Sequence, residues 1–69
     1  PGLAIAHFTR VLRHQPENGR AHLQLAAEMM KNEYYKAARR HFELAVQYDP
    51  SVLNVPGVRE SIEAVKDFR

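Results

Sequence analysis

The chain repeats itself. Ala4, His7, Phe8 and Pro16 return thirty-four residues later as Ala38, His41, Phe42 and Pro50, and Val46 answers Leu12 in the same register. The two stretches, LAIAHFTRVLRHQP and YYKAARRHFELAVQYDP, share their apolar positions and both stop at proline. Self-similarity at a fixed period means that each copy is one structural unit and that the two copies bury related faces.

Periodicity and punctuation predict four helices. The first spans Leu3 to His14, with Ala4, Phe8, Val11 and Leu12 on one face, and Pro16 ends it. The connector QPENG holds Pro, Asn and Gly, which favour turns for different backbone reasons. A second helix spans Gly19 to Lys31, with Leu25, Ala26 and Met29 as its inward stripe, Ala21 and His22 close to it, and Met30 exposed. NEYY turns the chain into a third helix, Tyr35 to Tyr48, where Ala38, Phe42, Ala45 and Val46 recur at helical spacing. Asp49 and Pro50 stop it, because the residue before a proline is pushed out of the helical region. After the loop SVLNVPG, a fourth helix from Val58 to Phe68 carries Val58, Ile62, Val65 and Phe68 at offsets of three and four. No segment alternates as a strand does, so the fold class is all-α, in a single domain over residues 1–69.

Length limits what this chain can do alone. It has 69 residues and no cysteine, so neither disulfide nor thiolate metal site staples it. A single core of this size contributes only about 3–5 kcal/mol. The expectation is therefore a piece of a longer protein or a chain that assembles, with Pro1-Gly2 a remnant of cloning. No apolar run approaches the roughly 20 residues of a membrane span and no leader precedes the first helix, which predicts a segment without membrane contact, cytoplasmic or bacterial periplasmic, free or attached to a membrane-anchored parent. The net charge of +2 is spread among interleaved acids, which argues against the basic stripe of a nucleic-acid module.

The spacing and the two-helix unit closed by proline resemble the tetratricopeptide repeat family. Residues 19–52 look like one complete unit: Leu25 falls on the leucine of the family's first helix, Ala26 on the small residue beside it and Met29 on its tyrosine. Tyr35, Ala38, Phe42, Ala45 and Asp49-Pro50 fall on the pattern of the second helix and its end. His22 stands where the family commonly has tryptophan, and Glu33 where it often has glycine at the turn. Residues 3–16 match the second helix of a preceding unit, and residues 56–69 fit poorly and read as a capping helix. The resemblance implies a short right-handed α-solenoid of antiparallel helix pairs whose first helices line a concave groove.

The groove implied by that resemblance would present Arg20, Leu23, Gln24, Ala27, Met30 and Lys31, an apolar middle with basic ends. It suits a peptide segment or helix of another protein, apolar and weakly acidic. Lys36, Arg39 and Arg40 form a basic patch on an outer helix, read first as solvated and second as a seat for acidic groups. Catalysis is not expected: Glu60 and Glu63 sit beside Arg59 and Lys66 as helix-surface pairs, Ser51 and Ser61 lack a base, and the glycines make no phosphate loop. Nor is a metal or other cofactor expected. His7 and His14 lie about 10 Å apart along one helix, while His7 and His41, at equivalent positions of the two copies, would be neighbours on a solvated outer face. The function predicted is non-catalytic scaffolding within a multiprotein assembly, with homo-oligomerisation as the alternative and nucleic-acid binding as a third reading. No small-molecule substrate is expected.

Overall fold

The computed structural model describes residues 2–69, so Pro1 lies outside the described residues. Four α-helices follow one another: α1 (Gly2–His14), α2 (Gly19–Lys31), α3 (Tyr35–Tyr48) and α4 (Val58–Val65), with a 3-10 turn (Pro50–Asn54) between the last two. The described residues contain no strand, and the fold is all-α.

Local chemistry sets the helix ends. Asn18 caps α2 by accepting a hydrogen bond from the Ala21 N–H at 2.9 Å, which satisfies one of the amides a helix start leaves unpaired. At the other end of α2, the Tyr34 N–H reaches the Met29 carbonyl at 2.8 Å and the Glu33 N–H reaches that of Met30 at 3.0 Å. This pair of bonds is a Schellman closure, and it needs a left-handed residue after the cap. Glu33 supplies it with φ of 64°, so a residue carrying a Cβ occupies a position that favours glycine. Glutamate in place of glycine thus does not alter the turn: it is made in the usual way, at the cost of local strain.

Helices α2 and α3 run antiparallel, with the first residue of α2 against the last turn of α3. A Cβ at Gly19 would lie 2.6 Å from the Asp49 Cβ and 3.0 Å from the Ala45 carbonyl oxygen. Glycine is required there by the closeness of another backbone. The interface that follows is built from small residues: Ala26, Ala38 and Ala45 have no exposed surface. Phe42 and Leu23 fill the space beside them, and Val52, Val58 and Val65 close the core from the far side.

The remaining elements add to this hairpin in chain order. Helix α1 packs on α2 alone, whereas α4 packs on α3 and the 3-10 turn. No residue of α1 is buried, and Leu3 keeps 87 % of its surface exposed.

Three expectations are corrected. The stretch after Pro50 is a 3-10 turn opened by Asp49, whose Oδ1 accepts from the Ser51 N–H at 3.1 Å, and it buries Val52 completely. Helix α4 ends at Val65 and not Phe68: the chain tightens so that the Phe68 N–H meets the Val65 carbonyl at 3.0 Å, and the Phe68 ring rests on Tyr35 with centroids 4.8 Å apart. Met30 is half-buried against the core, because it continues the Leu23–Ala26 stripe at helical spacing.

Gly19→Ala would gain in helix propensity at an exposed site; here it is expected to lose about 1–3 kcal/mol, since the contacted atoms include backbone that cannot yield. A urea midpoint at or above that of the parent would show that the two helices are not held this close. Glu33→Gly is expected to gain about 0.5–1 kcal/mol, the relief of left-handed strain less the extra freedom of glycine in the unfolded chain. An unchanged or lower melting temperature would contradict the strain assigned to Glu33.

Candidate docking groove and a buried histidine pair

Four of the six residues expected on a common groove come together. Arg20, Leu23, Gln24 and Ala27, at helical spacing on α2, line a depression of about 310 Å³ whose opposite wall is Val55 to Val58 and Ser61, with Phe42 beneath. Leu23 is only 8 % exposed and forms part of the floor, where it belongs to the core. Arg20 and Gln24 stand exposed at the rim and Ala27 is half-buried between them. Met30 and Lys31 do not line this depression; Lys31 instead pairs with Glu28 at 3.0 Å. The far wall is contributed by the segment after the 3-10 turn, which periodicity alone did not bring to α2. Gly57 makes that wall possible by adopting φ of 85° as the chain enters α4.

The basic patch also assembles, though not as three free cations. Lys36, Arg39 and Arg40 border one shallow depression with Glu43, Leu44 and Gln47. Arg39 donates to Glu43 at 2.7 Å, one turn along α3, and among the described residues Lys36 and Arg40 form no ion pair. The same two cations reach round to a second, more open depression floored by Tyr34, Tyr35 and Phe68. An exposed i,i+4 pair of this kind is worth roughly 0.3–0.5 kcal/mol.

The histidines are arranged differently from the expectation. His41 does not pair with its sequence counterpart His7, which lies edge-on to Phe8 with ring centroids 5.0 Å apart. It faces His22 instead: the two Nδ1 atoms are 3.0 Å apart, and His22 Nε2 lies 2.8 Å from the Pro16 carbonyl oxygen. A carbonyl can only accept, so His22 carries its proton on Nε2, its Nδ1 is the acceptor, and His41 donates from Nδ1. Tyr48 stacks on His22 with centroids 5.7 Å apart, and His22 is 5 % exposed. Burial, then His22 and Arg40 beside it, hold the His41 imidazole below the ordinary histidine value. The signal in the sequence was a histidine next to the inward stripe of α2; its partner was not readable, because it lies across the α2–α3 interface.

The 3.0 Å between the two nitrogens is the length of a hydrogen bond. Among the described residues no group of three or more metal-ligating side chains converges. No helix of the described residues is long and apolar enough to cross a membrane.

Comparison of the chain with protein-family models, with curated proteins and with solved structures finds no match.

Proposed function

We propose that this chain is a non-catalytic docking module, a tetratricopeptide-like scaffold segment that holds another protein in the depression between α2 and the entry to α4. The observation that carries this reading is the convergence of Arg20, Gln24 and Ala27 over an apolar floor of Leu23 and Phe42, opposite Val55 and Val58. Those residues offer apolar contact along the middle and one cation at the rim. An extended peptide or helix edge with an apolar residue next to a carboxylate complements both. The thirty-four-residue repeat, the helix-pair layout and the alanines at the α2–α3 contact support a short right-handed solenoid as the frame for such a groove. Fold analogy informs this reading, and the groove residues are what make it testable.

A second reading has its own support: α1 carries an apolar face with no buried residue, so copies of the chain can pair through it. The two readings separate by experiment.

Peptides selected for binding from a displayed library are expected to combine an apolar residue with Asp or Glu. Ala27→Arg and Gln24→Arg should weaken the selected peptides at least tenfold, and Arg20→Glu should weaken the acidic ones most, while far-UV circular dichroism stays helical. Peptides that bind all three variants as they bind the parent would show that the groove is idle. Leu23 is not a useful probe, because a charge at a core position unfolds the module. Light scattering is expected to give the 7.9 kDa monomer mass if docking alone is the function. A stable multiple of that mass would instead favour self-association through α1.

A further inference from the structure

We propose that the His22–His41 pair is an acid-sensitive latch, in which one shared proton ties α3 to α2 and to the α1–α2 connector, and further protons release the connector. The geometry makes the pair a proton counter. With His22 Nε2–H committed to the Pro16 carbonyl at 2.8 Å, only one hydrogen fits between the two Nδ1 atoms 3.0 Å apart. A first added proton goes to the free Nε2 of His41 and leaves that bond intact. A second must go to His22 Nδ1, which then points an N–H at the N–H of His41. Two donors cannot share the line, so the rings separate or the Pro16 bond breaks.

The surroundings oppose protonation of His41 and do not compensate it. Arg40 on the same helix and His22 on α2 face it, and both repel an added positive charge. Tyr48 covers His22 with its ring, the centroids 5.7 Å apart. Among the described residues no carboxylate is hydrogen-bonded to either imidazole. Glu17 lies in the connector without such a bond, and Asp49, beside Gly19, is bonded to Ser51. Because the folded protein holds His41 below its unfolded value of about 6.5, the unfolded chain binds more protons below that pH. The stabilisation carried by neutral His41 is complete above about 6.5 and is lost progressively as the pH falls from there toward the lowered folded value; the first proton removes this stabilisation with the bond still made, and the second releases the connector.

The consequence is local. Pro16 sits between α1 and α2, and α1 touches no other helix. Opening the latch therefore loosens α1 first, ahead of the α2–α3 contact made by Gly19 and the alanines.

Long-range proton–nitrogen NMR of the labelled chain from pH 8 to pH 5, with amide-exchange protection measured at each pH, tests this. At pH 8 His22 is expected as the Nε2–H tautomer and His41 as the Nδ1–H tautomer, with the exposed His7 and His14 as internal comparisons. On acidification the signals of His22 and His41 should change together. Protection of α1, the connector and the first turn of α2 should fall at least tenfold, while that of Ala38 to Ala45 changes less than threefold. In His41→Leu, the protection of the α1–α2 junction should vary less than twofold over the same range. Mixed tautomers at pH 8, independent titration of the two rings, or a loss of protection equal in α3 and α4 would each overturn the latch. Should His41→Leu fail to fold, the parent titration alone decides.

Discussion

Everything in this protein depends on how closely α2 and α3 can approach. The contact is made by residues with almost no side chain: Gly19 against Asp49, and Ala26, Ala38 and Ala45 with no exposed surface. Small residues let two helix backbones come near enough for Phe42 and Leu23 to seal the sides, and dense packing of this kind tolerates little change in volume. Helix α4 can close the core only because α3 presents this already covered face. The 3-10 turn supplies Val52 to fill what the two long helices leave open.

The same hairpin places the two features that bear on function. On one face of α2, Arg20, Gln24 and Ala27 look across to the segment entering α4 and line one depression with it. Near the start of the same helix, His22 is pulled inward to meet His41 and the Pro16 carbonyl. The depression and the histidine pair thus sit within two turns of one helix. A change in the packing of α2 against the connector is felt close to Arg20, which gives pH a physical route to the groove.

Much of the fold was legible in the residues. The bounds of α2 and α3 follow from the apolar stripes, the turn residues of QPENG and NEYY and the Asp49-Pro50 stop, because these are local signals whose reach is a turn or less. The end of α4 was not legible. Phe68 keeps the helical spacing of Val58, Ile62 and Val65, yet it leaves the helix to rest on Tyr35, a residue more than thirty positions away. Val52 was missed for the same reason: Val52, Leu53 and Val55 in so short a segment show no period, and only the core that Val52 fills singles it out. Of the candidate groove, the α2 wall was implied by the family resemblance, whereas the opposite wall depends on where Gly57 turns the chain.

The sequence by itself determined that this chain is helical, that its second and third helices form a pair, and that a thirty-four-residue unit returns, since period, caps and breakers act over neighbouring residues. Tertiary structure decided which histidines meet. By repeat symmetry His7 and His41 are equivalents, but equivalence in a repeat says where a residue stands on its own helix and nothing about what lies across from it. His41 faces α2 and finds His22, whereas His7 stays exposed on α1. The partner of a side chain is set by what packs over its face, and that is a property of the folded arrangement.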